Sequence, residues 1–534
     1  MFVLLNLVIL GCVALISWWW ANQGLFSALL HLVCVLAAGA IALGLWEPIV
    51  YAALKGGPAD NFIIGPILVG LFLVSLLILR IIMDKVVGAN VKLPTWANLV
   101  FGIPVAAVAG IVTMGLFVIG GSFTQSTKEP FGYGPYGRDS RTGQVMRTGR
   151  ILWLPVDKIT SDLYSLLSRT SLYPEVVGMP MAEVQPDLWI QASLVRDSVD
   201  RGRGMISLQP SAARVTNIYF CPEDGVYAVQ MQFEAKARDF ATQLTLSRSQ
   251  LRLIGADAQS SEPMYVFPDS WTQPTGYFRW DDVSHYATSE SGQQSTEMTF
   301  FFPAGAMSQN AHFVQVRNTR YRIERIQQVP PSTIRNLRGP GAIVADVAAA
   351  VSTAQSGGDI SSLVRLSNNP RPIRASRNMG LGTLQLDSSG KFFVRGEHKF
   401  PAQGDRPNRQ LAIDGLFEPP GTRVIQVDVA RGAATDLYSG VAERAGENPE
   451  LMLVDDQGRT YWPMGFLHVA ADGYRLRLDP ENFVKTLADL PILPSSGTQE
   501  MRLLFIVTQN VRITSLRFGS VTLGTCNLLV EPPR

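Results

Sequence analysis

Cysteine and histidine are scarce in this chain, with four and five among 534 residues. Cys12 and Cys34 fall in apolar stretches, while Cys221 and Cys526 stand far apart, so there is neither a disulfide framework nor a metal-type spacing. A single Cys221–Cys526 bridge is open to an oxidising compartment, but the spacing favours two separate buried thiols. His31 sits in an apolar run. His285, His312, His398 and His468 have no second ligand at H-x-x-x-H or H-E-x-x-H spacing. No G-x-S-x-G elbow and no P-loop occurs. Charge is also thin, at 17%, and the shortage is local. Residues 1–125 hold four of the 46 basic side chains (Lys55, Arg80, Lys85, Lys92) and three of the 44 acidic ones (Glu47, Asp60, Asp84). Both portions carry a net charge near +1, which leaves no basic region for nucleic acid and no acidic tail. The expectation is no enzyme: no catalytic residue, no cofactor and no metal site.

What is present instead is four long apolar runs, at 2–20, 25–46, 62–79 and 97–121. Each is about 18–25 residues, the length with which a helix crosses ~30 Å of hydrocarbon. In lipid a lone segment must be helical, because its backbone groups have only each other as partners. A cleaved signal peptide is the rival for the first run. Met1 to Trp20 has no Lys or Arg, and it ends on Trp18-Trp19-Trp20 rather than on small residues, so an anchor is expected. Small residues four apart (Ala38 and Ala42, Ala40 and Gly44, Ala106 and Gly110) allow close helix approach. Pro66 and Pro104 are candidate kinks. Asn6 and His31 are the polar exceptions. His31 could relay protons, but six residues into its helix an interhelical contact is the plainer role. Arg80, Lys85 and Lys92 outnumber Lys55 and Lys128 across the bundle. That bias places the loop after the third helix in the cytoplasm and the remainder of the chain outside it.

The stretch Gly24-Leu-Phe-Ser-Ala-Leu-Leu-His-Leu-Val33 resembles the start of the second helix in the colicin V production (CvpA) family. Leu93-Pro-Thr-Trp-Ala-Asn-Leu-Val-Phe-Gly-Ile-Pro-Val-Ala-Ala-Val-Ala-Gly110 resembles that family's approach to its fourth helix. Helix count, helix lengths and the short basic loop also agree, over roughly residues 1–170. Gln23 stands where the family usually has an arginine, and its charges near Pro94-Thr95 and Val105-Ala106 are missing. The resemblance implies a multi-pass protein of the bacterial inner membrane linked to colicin V production or export, a toxin biosynthetic process, or more broadly to the cell envelope.

Beyond the bundle, 126–152 reads as a solvated linker of glycines with Arg138, Arg141, Arg147 and Arg150, which could also meet lipid headgroups. Gly132-Tyr-Gly-Pro-Tyr-Gly137 fits G-x-G-x-x-G, but it follows a membrane helix, contains Pro135 and opens no βαβ unit. Ile159, Leu163, Leu166 and Leu167 mark an amphipathic helix over 156–170, lying on the membrane or packed on the β region beyond it. From about Leu188 the pattern becomes β. Strand-like runs at 218–221, 227–234, 250–254, 298–302 and 313–316 precede a second set from near Lys391, at 423–429, 450–454, 460–463, 473–478, 501–506 and 515–518. Asp455-Asp-Gln-Gly458 reads as a hairpin turn. The sets read as repeats: 225–233 matches 421–429, 251–257 matches 451–457, 265–268 matches 461–463, and 298–302 matches 501–505. Between them, prolines break up 329–377, with a short helix expected at 342–354.

The expected architecture is a multi-domain membrane protein. A four-helix transmembrane domain (1–125) and a juxtamembrane linker with an amphipathic helix (126–175) precede a first sandwich (176–328), a linker (329–378) and a second sandwich (379–534). Two Ig-like sandwiches are one form, and a single larger two-sheet domain is the other. The aromatic stretch Trp271, Tyr277, Phe278, Trp280 and Tyr286 is a core filler more often than a binding loop. Asp387-Ser-Ser-Gly390, the most suggestive serine stretch, reads as a turn, although a triad needs only to meet in space. The expected partners are the lipid bilayer, a protein of the envelope and a second copy of the chain, with no nucleic acid. The expected function is a membrane-anchored envelope scaffold or binding protein, with a transport or secretion component and a serine hydrolase as the alternatives.

Overall fold

The structure is a computed structural model of the chain. It describes residues 1–534 except 56–58, 88–93, 125–128, 140–141, 171–174, 177–178, 199–204, 239–242, 274–275, 281–284, 290–294, 339–357, 370–372, 375–382, 385–395, 402–411, 414, 419–420, 430–434, 439–444, 446–448, 457–459, 471–472, 480–482, 492–499, 510 and 532–534. The stretches 342–354 and 387–390 therefore lie outside the described residues, as does Arg141.

Four apolar helices open the chain: α1 (Phe2–Asn22), α2 (Leu25–Ala53), α3 (Asp60–Val86) and α4 (Thr95–Ser122). All four are long and apolar enough to cross a membrane, with mean hydropathy between 2.3 and 2.9. They pack through small residues, as lipid-embedded helices must where no hydrophobic effect drives them together. Ala38, Ala42, Ala106 and Ala109 are fully buried. A Cβ on Gly110 would sit 3.2 Å from the Val13 carbonyl of α1, and one on Gly65 would strike the Gly120 carbonyl of α4. The helices continue through Pro66 and Pro104.

Helix α2 is longer than the expected 25–46. Glu47 and Pro48 read as its end, yet it runs to Ala53. Glu47 is 3% exposed and paired with Arg320 of the β region, so its charge is neutralised by tertiary contact rather than by water. Over 29 residues α2 spans about 43 Å at 1.5 Å per residue, more than the ~30 Å of hydrocarbon.

The segment expected as a solvated linker is ordered against the bundle. It holds a hairpin, β1 (Tyr136–Arg138) with β2 (Val145–Arg147), and the helix expected over 156–170 follows it as α5 (Val156–Arg169). Arg138 is buried on Asp197 instead of exposed, which supplies the ordering that its glycines oppose. The Gly132–Gly137 stretch leads into β1, with no helix N-terminus behind it. A second correction falls at Leu188, where β was expected. Met181–Val184 is one helical turn (α6), and Leu188–Val195 is a helix (α7) whose eight residues are all buried. A short apolar run buried on every side has no amphipathic period to separate helix from strand.

The first β unit begins at Ala213. Its strands are β3 (Ala213–Cys221), β4 (Val226–Glu234), β5 (Leu251–Ala256), β6 (Pro263–Val266), β7 (Ser270–Gln273), β8 (Gly276–Arg279), β9 (Ser295–Pro303), β10 (Ala311–Val316), β11 (Thr319–Arg322) and β12 (Gln327–Gln328). One sheet has the order β8-β7-β9-β4-β3-β12, the other β11-β10-β5-β6. Val229, Met231 and Phe300 of the first sheet share a core with Leu251, Leu253 and Val314 of the second. Helix α8 (Pro331–Arg338) follows and seats Ile334 beside Phe301.

The second unit starts earlier than 379, inside the stretch expected as linker. Its strands are β13 (Gly358–Asp359), β14 (Val364–Leu366), β15 (Gly396–Pro401), β16 (Thr422–Val429), β17 (Leu451–Asp455), β18 (Thr460–Tyr461), β19 (Gly465–Ala470), β20 (Gly473–Leu478), β21 (Glu500–Thr508), β22 (Arg512–Phe518) and β23 (Val521–Leu529). The sheets run β14-β16-β21-β19-β20-β15 and β13-β23-β22-β17-β18, and Ile425 and Phe505 share a core with Leu453 and Leu516.

Nine strands correspond one for one, in chain order and in sheet position: β3 to β11 with β14 and β16 to β23. The four sequence matches fall on the equivalent pairs β4/β16, β5/β17, β6/β18 and β9/β21. Pairing differs by a slip. Met298 faces Met231, whereas Met501 faces Val429, two residues past the position matching Met231. A slip of two keeps every side chain on its own face, where a slip of one would turn the core outward.

Candidate functional site

Among the described residues, a constellation of buried polar groups lies where the bundle meets the first β unit. Helix α2 carries Glu47 and Tyr51, one turn apart, beyond the end of α4. Arg320 on β11 forms a buried ion pair with Glu47. The Glu47 carboxylate also accepts from the Tyr51 hydroxyl and from Gln185 Nε2 at 2.8 Å. Tyr51 Oη accepts the Arg320 amide at 3.0 Å. Gln191 Nε2 of α7 donates to Asn318 Oδ1 at 3.1 Å. One carboxylate thus holds a membrane helix, the α6 end and the last strand of a sheet.

Apolar packing continues the joint. Met181, Leu188 and Ala192 belong to the same cluster as Val35, Trp46, Leu68 and Leu116 of the bundle. On the other face of α7, Gln250 Nε2 reaches the Val195 carbonyl at 2.7 Å and Ser249 Oγ reaches the Leu194 carbonyl at 3.0 Å. Arg252 is enclosed between Gln315 (2.6 Å) and the Tyr265 ring (5.0 Å from its centroid). Burial pulls its guanidinium down to about 10.

A second fastening uses the juxtamembrane segment. Asn6 of α1 takes the Trp153 amide on Oδ1 at 2.7 Å. Tyr133 donates to Asp157; burial raises the Asp157 carboxyl above its ordinary value and outweighs that hydrogen bond. Arg196 donates to the Ser122 carbonyl, closing the end of α4, and burial lowers it to about 10. Arg138 pairs with Asp197, reaches the His285 carbonyl at 3.2 Å and lies 4.5 Å from the Tyr286 ring.

Chemically this is a lock. Glu47 is saturated by three donors, and a buried pair that loses one partner costs several kcal/mol. A polar groove of about 600 Å³ opens beside it between β3 and β11, lined by Arg214, Thr216, Asn217, Arg322, Glu324 and Arg325.

The residues singled out from sequence go elsewhere. His31 stacks on Trp20 at 3.9 Å. Arg80 covers the same Trp20 at 4.8 Å and pairs with Asp84 at 2.9 Å. This cluster lies at the end of the bundle away from the β units. His285 Nδ1 meets the Arg279 carbonyl at 2.8 Å, His398 stands edge-on to Phe400, His312 is in β10 and His468 in β19. Among the described residues no group of three His, Cys, Asp or Glu is arranged for a metal. Cys221 and Cys526 are both free thiols, one in each unit. Trp271 and Trp280 fill the first core, and Phe278 packs on it. Sequence reasoning missed Arg320, Gln185 and Asn318. The one signal for them was Glu47, an acidic residue in an apolar helix that needed a partner. No protein-family model, curated protein or solved structure matches the chain.

Proposed function

We propose that this chain is a non-enzymatic, membrane-anchored envelope protein whose bundle holds two Ig-like β-sandwiches outside the cytoplasm as a scaffold for a protein partner. The observation that carries the reading is the Glu47–Arg320 lock. It makes the first β unit a stiff extension of the membrane bundle rather than a tethered passenger, which is what a platform requires. The strand order supports the Ig-like reading. In both units the orders β7-β9-β4-β3 with β11-β10-β5, and β19-β21-β16-β14 with β23-β22-β17, follow the ABED and CFG arrangement. The resemblance to the colicin V production family over 1–170 supports placement in a bacterial inner membrane, with colicin V production as the process it suggests. Self-association through the bundle is part of the same proposal.

A reporter enzyme fused after Arg534 tests the placement, and activity confined to the cytoplasm would overturn it. Crosslinking of the full chain in intact envelopes tests the scaffold role, and recovery of no specific partner counts against it. The rival, transport through the bundle, draws on Trp20, His31, Arg80 and Asp84. Arg80 Nη2 reaches Ser27 at 3.3 Å, in the first turn of α2, so these groups sit at a helix-end interface rather than along a path.

A further inference from the structure

We propose that residues 130–139 and 142–169 form a collar embedded in the bilayer interface, with the outer face of α5 covered by lipid acyl chains. This rests on the membrane-anchor reading and adds to it where the lipid boundary falls and what sets it.

Helix α5 is inside out for a helix docked on a protein in water. Its buried face is mostly polar: beside Val156 it carries Asp157, Thr160, Ser161, Tyr164 and Ser168, with Thr160 and Tyr164 set against the bundle. Its apolar stripe points the other way, with Ile159 39% and Leu166 60% exposed and Leu163 and Leu167 half-buried on its flank. In water this orientation would expose the groups that burial should stabilise, at about 25 cal/mol per Å². It is favourable only where the surroundings are apolar.

The rest of the segment shares the pattern. After α4, eight large apolar side chains are exposed among the described residues. Six of them fall between 131 and 166: Phe131, Met146, Ile151, Trp153, Ile159 and Leu166. The other two, Tyr277 and Leu529, are isolated. The exposed apolar surface of the bundle therefore continues onto this segment and stops there.

The depth of α5 identifies the occupant. Tyr164 Oη donates to the Val35 and Leu36 carbonyls at 3.2 and 3.1 Å, about ten residues into α2. Thr160 lies by the Ile111 carbonyl, and a Cβ on Gly115 would strike both Thr160 and the Val156 carbonyl. Gly115 is seven residues before the end of α4, or about 10 Å at 1.5 Å per residue. A helix seated that far down the spans meets lipid on its free side, with Lys158, Asp162 and Arg169 able to reach headgroups from its edge. The turns above it (Glu47, Asp60, Asn61, Ser122) are buried by protein. The bundle thus stands proud of the hydrocarbon, and the β units ride on that raised end.

Site-directed spin labelling of the full chain in lipid vesicles tests this. Cys12, Cys34, Cys221 and Cys526 are exchanged for alanine, and single labels are placed by Ile159→Cys, Asp162→Cys, Leu166→Cys, Leu77→Cys on the outer face of α3 and Gln259→Cys in an exposed turn. The collar predicts that labels at 159 and 166 favour oxygen over an aqueous nickel complex, as at 77, while 162 follows 259. If 159 and 166 follow 259 while 77 favours oxygen, the collar is wrong and the anchor stands. If 77 also follows 259, the anchor reading falls and the collar with it.

Discussion

The two β units repeat one strand order and differ in what lies on their outer faces. In the first, β5 is buried at all six positions, because α6 and α7 cover the face that its core does not use. In the second, the equivalent β17 leaves Met452 half-buried, at the position where the first unit encloses Arg252. The same strand is an interior layer in one copy and an outer wall in the other. A charged residue at the matching position is thus a mark of what docks there, since an arginine that loses water needs partners to replace it. In this molecule the cover is α6 and α7, which are themselves packed on the membrane bundle. Among the described residues the units touch where Gly421 lies against Tyr286 and Thr288, and where Thr288 Oγ1 meets Thr508 Oγ1 at 3.4 Å.

The sharpest way to break this contrast is to unlock the first unit. Glu47→Leu or Arg320→Met alone leaves one buried charge unpaired and is expected to cost about 3–5 kcal/mol. The double variant, which leaves neither charge, should recover most of that loss. Thermal denaturation in detergent micelles reads it, with the bundle and first unit shifting together and the second unit's transition unmoved. A second transition that shifts equally would mean the units are as tightly coupled as the bundle joint.

Core truncation tests the symmetry that remains. Phe302 and Phe505 are equivalent and fully buried. Phe302→Ala and Phe505→Ala should each cost about 3–5 kcal/mol, the first lowering the transition shared with the bundle and the second lowering the other. Unequal losses would show that the two-residue slip in pairing has changed the packing around these rings.

The order of these effects follows what the sequence displays. The bundle was legible because lipid tolerates almost no charge, and the chain has almost none where it crosses. The repeat was legible because β4, β9, β16 and β21 carry long apolar strands in equivalent places. The joint was not. Arg320 and Gln185 are ordinary polar residues in sequence, and only the fold brings them 273 and 138 residues back to Glu47. Helix α5 was legible as an amphipathic helix, yet its orientation was not, because periodicity gives a stripe without saying whether protein or lipid covers it. Gly39 and Gly115, which let its polar face approach, look like any other glycine of a membrane helix.

Those glycines give the next test. Gly115→Leu places a side chain where Thr160 and the Val156 carbonyl lie, and overpacking of this kind costs about 1–3 kcal/mol. The expected outcome is loosened α5 with the bundle intact, read as faster amide hydrogen exchange over 156–169 than over α4. Uniformly faster exchange across α1–α4 would instead make α5 part of the bundle's own core.

The smallest effect concerns Asp157, and it is a matter of pH. Burial raises this carboxyl above its ordinary value of 3.8, so the folded chain holds the proton more tightly than the unfolded one. The folded state then binds more protons between 3.8 and the raised value, and stability falls as pH rises through that window. Tyr133 still donates to the ionised form, and Lys158 faces it, which limits the loss without cancelling it. Asp157→Asn keeps an acceptor for Tyr133 and removes the ionisation. Its denaturation midpoint should therefore gain on the parent chain's as pH rises from below about 4 to about 7. A gap that stays constant over that range would mean that Asp157 holds its proton equally in the folded and unfolded chain, and a midpoint that falls behind the parent's would mean that the Tyr133 hydrogen bond outweighs burial in the second fastening.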